Sequence, residues 1–410
     1  MTSTALIEND AVVLGLLAVT LGAVFWTSQS PHPWLRAFYK YVPALLLCYF
    51  IPAVYNTVGL IDGEASQLYF ISSRYLLPAT LVLLTLSIDL PSVARLGPKA
   101  VTMFLTGTVG VVIGGPIAIL IWQLVSPDTV DGDTWRGMTA IAGSWIGGGA
   151  NQAAMKEVFD VDNNLFGTMV AVDIIVANLW MAVLLWMAAN AERLDARRGA
   201  DTSGIAALRQ RIESFQAESA RIASLPDLMF IMAVAFGCTG AAHAIGAPIA
   251  AWFSQFQWAA RLSFDSSFFW IVVLATSFGL MLSFTRAKRL EGAGASKIGS
   301  AMLYILIASI GMHMNLGAIL SDPKLFGVGL TWIAIHAGLL LLVGRLIRAP
   351  VFYLAVGSQA NIGGAASAPV VASAFHPALA PVGVLLAVFG YALGTYAAWA
   401  CGQLMRLAAG

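Results

Sequence analysis

Two segments hold most of the residues that could do chemistry in this chain. Gly143-Ser-Trp-Ile-Gly-Gly-Gly-Ala-Asn-Gln-Ala-Ala-Met155 and Gly357-Ser-Gln-Ala-Asn-Ile-Gly-Gly-Ala-Ala-Ser-Ala-Pro369 each set glycines among amides and hydroxyls inside an otherwise apolar stretch. A helix broken at such a point turns free N–H groups, and about half a positive charge, into the gap. Anions bind there, while unwound carbonyls and C-terminal helix ends serve cations. Gly147, Gly148, Gly149, Gly363 and Gly364 allow close backbone approach to a ligand. Ser144, Asn151, Gln152, Ser358, Gln359, Asn361 and Ser367 can hydrogen-bond a small polar solute or offer oxygens to sodium, for which Asn151, Asp173 and Ser367 are the candidate ligands. Glycine pairs also serve simply to let helices pack closely, and Gly114-Gly-Pro116 reads that way. Two pairs flanked by amides, in matching places of the chain, point instead to one binding site.

Asp173 is the one acidic residue deep inside an apolar span. A carboxylate there costs roughly 2.5–3.5 kcal/mol on insertion scales, which argues for a role with a proton or sodium. The alternative is a carboxyl satisfied by neighbours such as Thr168 or Asn178. His243 and His336 are also intramembrane and read as satisfied core residues. Asp89, His313 and Asn315 close corresponding spans and are candidates to flank a substrate path, and Arg74 can snorkel to the interface. Cys48, Cys238 and Cys401 lie apart in separate spans, without metal or redox spacing, and read as small packing residues.

The elements that must position these groups are membrane helices. Of 410 residues, 59% are hydrophobic and 10% charged, with a mean hydropathy of +0.81. Soluble domains carry about 25% charge. Spans are expected near 11–25, 42–60, 69–88, 101–124, 165–188, 228–253, 268–284, 298–314, 325–342 and 379–404, with the glycine motifs in two further apolar stretches, 138–155 and 351–375. Glu8 and Asp10 stand where a signal peptide needs positive charge, so the first span is expected to stay in the membrane. The net charge of +1 gives no reason to expect nucleic acid or another polyanionic partner. No cofactor is expected beyond a coupling ion.

Between residues 191 and 225 six arginines appear and hydrophobicity falls. The first part reads as a loop; from Ile205 onward Leu208, Ile212, Phe215 and Ile222 mark one face of an amphipathic helix lying on the membrane surface. This cytoplasmic linker separates an N-terminal transmembrane repeat, 1–190, from a C-terminal one, 226–410. Leu84-Thr-Leu-Ser-Ile-Asp-Leu followed by Gly97-Pro-Lys99 matches Leu306-Ile-Ala-Ser-Ile-Gly-Met followed by Asp322-Pro-Lys324, and an apolar span, the glycine motif and a long last span follow in both halves. Internal repeats of this kind mark secondary transporters, with sites at the repeat interface.

If both glycine elements are re-entrant hairpins, each half makes five crossings and the repeats are inverted. With the N-terminus outside, sixteen of the 22 basic residues then face the cytoplasm. If both elements cross and the N-terminus is inside, fifteen do. Two arms of about nine residues would rise roughly 13 Å each, enough to reach the middle of the hydrocarbon. Charge and length leave both arrangements open. The fold class expected is an all-α polytopic membrane protein of two inverted repeats, each with about five transmembrane helices and one broken helix or re-entrant hairpin.

Gly143-Ser-Trp-Ile-Gly-Gly148, Val172-Asp-Ile-Ile-Val-Ala-Asn178 and Ser358-Gln-Ala-Asn-Ile-Gly-Gly364 resemble the YjcL-like membrane family, a family of unknown function, over almost the whole chain. More distantly, the layout is similar to the superfamily of sodium-glutamate, 2-hydroxycarboxylate and bile-acid symporters and cation-proton antiporters. That resemblance implies inverted repeats, a transport core around two broken helices, a scaffold from the first helices of each half, a homodimer formed through the scaffold, and elevator-like motion. It implies no substrate.

The function expected is ion-coupled secondary transport, with sodium or protons, of a small polar, anionic organic solute, by a multi-pass protein of the cell (inner) membrane. No Walker A pattern is present to couple ATP. A channel or export pore without coupling is the alternative. An intramembrane enzyme would need a His-Glu-x-x-His motif, which is absent, or a second deep carboxylate beside Asp173.

Overall fold

A computed structural model describes residues 6–200, 202, 205, 222–314 and 322–410. The expected surface helix at Leu208, Ile212 and Phe215, and Asn315, lie outside the described residues. The described chain is helical; apart from an isolated bridge between Ile7 and Ile61 it holds no strand. Helices α1 (Asp10–Ser28), α2 (Pro33–Tyr41), α3 (Ala44–Thr57), α4 (Leu68–Leu86), α5 (Pro98–Val125), α6 (Thr134–Val158) and α7 (Asn163–Ala189) precede the linker. After it come α8 (Leu225–Phe253), α9 (Ser267–Ser283), α10 (Ala295–Gly311), α11 (Lys324–Leu346), α12 (Val351–Ile362), α13 (Gly364–Phe375) and α14 (Ala380–Ala409). Among the described residues, seven helices are long and apolar enough to cross a membrane, or up to nine if each of two bent pairs is one span. The chain is therefore a multi-pass membrane protein.

The start of the linker departs from the expected loop. Ala191–Arg198 forms a short helix directly after α7, and Gly199, in the left-handed conformation, stops it. The buried Asp195 gives the segment a function as a clasp, since its carboxylate accepts from the Val351 amide at the base of α12 at 2.8 Å. Helix α4 contains a π-turn over Ser72–Leu76. Pro78 has no N–H to give the Arg74 carbonyl that faces it one turn back, and His243 of α8 meets that carbonyl at 2.8 Å instead.

Both glycine elements are hairpins. In a straight helix residues 23 apart are separated by about 35 Å. Here Arg136 donates to the Phe159 carbonyl at 3.0 Å, and the rings of Trp135 and Phe159 lie 5.9 Å apart, so the two ends of α6 meet. The fold-back occurs at Gly148, with φ 70° and ψ −173°, a conformation essentially reserved for glycine. In the second element the rings of Phe352 and Phe375 lie 5.3 Å apart and Gly364 adopts φ 57°. The helical arms of this hairpin, 12 residues each, rise about 18 Å, enough to reach the middle of a 30 Å core.

The helices sort into two bodies by packing. Helices α5, α6, α7 and α11–α14 pack densely on one another, and α1, α3, α4 and α8–α10 do the same, while contact between the two sets is sparse. The second body is called the framework below. Within the first, α5 and α11 run antiparallel: Lys99 reaches Arg348, Gly114 lies under Trp332, and Lys324 reaches Ser126. Gly114 and Gly115 thus serve packing, as expected, with a β-carbon at either falling within 2.8 Å of the Trp332 ring. In the framework α4 and α10 are also antiparallel, with Thr80 bonded to Gly299 and Tyr69 against His313. Large apolar side chains such as Val19 on α1 and Phe230 on α8 point outward, as a lipid-facing surface requires.

Candidate functional site

Because α5 and α11 are antiparallel and each is followed by a hairpin, the two hairpins rise from opposite ends of the bundle. Their tips meet: a β-carbon built on Gly364 would lie 3.9 Å from the Cα of Gly148. Helix α14 passes both. A β-carbon on Gly383 would overlap Ala368 of the second hairpin, and one on Gly394 would fall 2.5 Å from Gly147 of the first. Tyr391, on α14 between them, is the residue that sequence reasoning missed. Its ring carbon lies 3.3 Å from a β-carbon built on Gly148, and its hydroxyl faces the backbone amide of Ala365 at the start of α13. Within a span where aromatic residues are routine, nothing in the sequence distinguished it.

The expected site residues divide into four sets. Gly147, Gly148, Gly149, Gln359, Gly363, Gly364 and Ser367 come together at the two tips. Gly148, Gly149, Gly363 and Ser367 are only partly buried, and each tip combines the C-terminal end of one arm with the N-terminal end of the next. Gln359 donates to the Ser367 hydroxyl at 2.6 Å across the second tip.

Asn151 and Asn361 hold the hairpins in place. Asn151 donates to the carbonyls of Gly147 and Tyr391, each at 3.0 Å, and accepts from Thr395 at 2.7 Å. Asn361 donates to Gly357 and Phe104, each at 2.9 Å, and accepts from Thr108 at 2.8 Å. Both side chains are fully buried. In each case an asparagine ties its own arm to a long helix, α14 or α5, through a carbonyl and the threonine four residues on.

The third set surrounds Asp173, which is 4% exposed. Its carboxylate accepts from Trp145 at 2.6 Å and from Gln152 at 2.9 Å, and Ser144 faces it. These partners come from both arms of the first hairpin, not from Thr168 or Asn178 on its own helix; Asn178 bonds to the Ile174 carbonyl instead. Tyr49 of the framework donates to Gln152 at 3.3 Å and extends this set across the boundary between the two bodies. Asn151, Asp173 and Ser367, grouped around sodium in the sequence reading, thus belong to three different hydrogen-bond sets.

In the fourth, Ser358 accepts from Trp180 and meets His336, each at 2.8 Å. The other His336 nitrogen faces the Gly107 carbonyl at 3.0 Å. A carbonyl only accepts, so Nδ1 carries the proton and Nε2 accepts from Ser358. His336 is a satisfied core histidine, as expected, while His243 is only partly buried and meets the Arg74 carbonyl.

A cluster beyond the motifs was not legible. Lys156, 5% exposed, donates to the Tyr69 hydroxyl at 2.6 Å. Glu157 accepts from Tyr69 and pairs with Arg74 at 3.1 Å, so Arg74 is paired and not merely snorkelling. This charged set joins the base of the first hairpin to α4. Asp89 lies outside the spans, where it caps a short helix through Ser92 and pairs with Lys288 at 3.5 Å. Burial raises the Asp89 carboxyl, but Ser92 and the Lys288 ammonium outweigh it and hold the group below its ordinary range.

Comparison with known proteins agrees with a membrane protein. The model of a family described as "Protein of unknown function (DUF819)" matches residues 15–408. The chain is also 25% identical, over 359 residues, to the "Uncharacterized membrane protein YjcL" of Bacillus subtilis (strain 168), an alignment that spans 84% of this chain and 85% of that protein. A chain matched from its first membrane helix to its last belongs to the DUF819 family of membrane proteins.

Proposed function

We propose that this protein is an ion-coupled secondary transporter of a small polar, anionic organic solute, which binds where the tips of the two hairpins meet. The observation that carries the reading is the contact between Gly148 and Gly364 at the ends of hairpins that rise from opposite sides. Hairpins that rise from opposite sides and meet at their tips support a site between them that opens to one side at a time. The N-terminal ends of the two second arms supply positive potential for an anionic group. Tyr391, Gln359 and Ser367 supply polar contacts. Asp173, bonded to both arms of the first hairpin, is placed to link its charge state to the hairpin's shape.

Two inverted repeats belong to this reading. With hairpins in both motifs, and with α3, α9 and the shorter apolar helix α10 each counted as a crossing, each half has five crossings, and an odd number sets equivalent helices in opposite directions. The antiparallel pairs α5 with α11 and α4 with α10 support that relation. Sparse packing between the two bodies supports elevator-like movement of the hairpin-bearing body against the framework. A homodimer belongs to the same reading, with the framework as its contact surface.

The test is uptake into proteoliposomes under imposed sodium or proton gradients, using solutes selected by thermal-shift screening of amino acids, small peptides and carboxylates. Accumulation above equilibrium, abolished by Gly148→Leu and Gly363→Leu, is expected. Flux that never saturates and never exceeds equilibrium would identify a pore instead.

A further inference from the structure

The geometry points to a sodium site at the tip of the second hairpin, built around the side-chain oxygen of Gln359; this deepens the transporter reading and rests on it. Gln359 is 1% exposed, and among the described residues its Oε1 has no hydrogen-bond donor. Its Nε2 is engaged by Ser367 at 2.6 Å, so the amide is anchored by one end with the oxygen left over. Gly363 leaves the space that this pair fills, since a β-carbon there would fall 2.3 Å from Nε2 and 1.8 Å from the Ser367 hydroxyl. A buried amide oxygen without a partner is costly. One fixed at the functional tip is best explained by a ligand that it serves.

The α12 side of the tip, which carries Gln359, favours a cation. Helix α12 ends at Ile362, and its last carbonyls and the negative end of its dipole face the tip. The Gln359 carbonyl is already taken by the Gly363 amide at 2.9 Å. The Ser367 oxygen accepts one hydrogen bond and retains a lone pair for a metal. Partial exposure of Gly363 and Ser367, with Ala366 exposed between them and the next turn, provides access.

The oxygens also select valence. Calcium and magnesium favour carboxylates, and among the described residues no group of three or more His, Cys, Asp or Glu is placed to hold a metal ion. Asp173, the deep carboxylate, is bonded to Trp145 and Gln152 of the other hairpin. A neutral set of amide, hydroxyl and carbonyl oxygens suits a hard monovalent ion.

The experiment is thermal unfolding of the purified full-length protein, without solute, titrated with sodium chloride at ionic strength held constant by choline chloride, and with potassium chloride for comparison. Sodium is expected to raise the melting temperature saturably, with potassium and choline inactive. Gln359→Met keeps the side-chain length but removes the oxygen, and should raise the half-saturating sodium concentration about tenfold or more, since a lost contact to a charged ligand exceeds one decade. Gln359→Glu should lower it, and Ser367→Ala should raise it. Should the methionine variant fail to fold, the glutamate variant decides, because only a cation site tightens when the oxygen gains charge. Equal responses to the three salts, or a sodium response that Gln359→Glu leaves unmoved, would overturn the site. Gradient-driven uptake that runs on protons, with no sodium response, sinks this inference and leaves transport standing. A sodium response without driven uptake of any solute does the reverse.

Discussion

Alanine substitutions at neighbouring tip glycines should have opposite outcomes, although the sequence gives no basis for separating them. Gly148 has φ 70° and ψ −173°, and a β-carbon there would meet the Tyr391 ring at 3.3 Å. An L-residue in that conformation costs of order 1–3 kcal/mol before any contact with the ring. Gly149, next to it, has no positive φ, and its nearest neighbours would be Leu303 and Ile307 at 3.7 and 3.9 Å, ordinary contact distances. An alanine there removes backbone freedom from the unfolded chain and is worth about 0.4–1 kcal/mol of stability. At Gly363 the β-carbon would collide with Ser367 and Gln359 and disrupt the tip. The assay is thermal unfolding of detergent-solubilised protein, followed by uptake. Gly148→Ala should lower the melting temperature by roughly 2 °C or more, Gly149→Ala should leave it unchanged or slightly raised, and Gly363→Ala should lose uptake. Equal effects at Gly148 and Gly149 would refute the hairpin geometry.

Two other predictions follow from the buried hydrogen bonds. Asp173→Asn points an amide NH2 toward the N–H of Trp145 or Gln152, so it should cost about 2–4 kcal/mol through one lost charged bond and one unpaired donor, read as a lower melting temperature together with loss of ion-driven uptake; unchanged stability would remove Asp173 from the hairpin network. Asn361→Ala removes the two buried hydrogen bonds that tie α12 to α5, while the Thr108 hydroxyl keeps the Phe104 carbonyl as acceptor at 3.4 Å, and should destabilise by about 1–3 kcal/mol, whereas Asn178→Ala, which loses only a bond within its own helix, should cost under about 1 kcal/mol; similar costs would show that Asn361 is no clamp.

The spans were legible because an apolar run long enough to cross a bilayer has few other uses, and the glycine motifs because non-helical backbone in hydrocarbon needs a reason. Whether those motifs crossed or folded back was not legible. Some twenty apolar residues suit either path, and the deciding contacts, such as Arg136 to the Phe159 carbonyl, join the ends of an element rather than neighbours in sequence. The roles of the amides were hidden for the same reason. Asn361 looked like a ligand because it is polar and next to Gly363, but its partner Thr108 lies 253 residues earlier. Lys156 carried no signal in the sequence, and only folding places its ammonium on Tyr69. The linker start read as a loop from its charges and glycine, yet its arginines, alanines and leucine are adequate helix formers and Gly199 is the stop.

The most direct test of a binding site between two hairpin tips is solute accumulation in proteoliposomes, measured for the native protein and for Gly363→Ala under the same sodium or proton gradient. The account predicts saturable accumulation above equilibrium by the native protein, collapse when an ionophore dissipates the gradient, and none in the variant. Equal uptake by the two proteins, indifferent to the gradient, would contradict it.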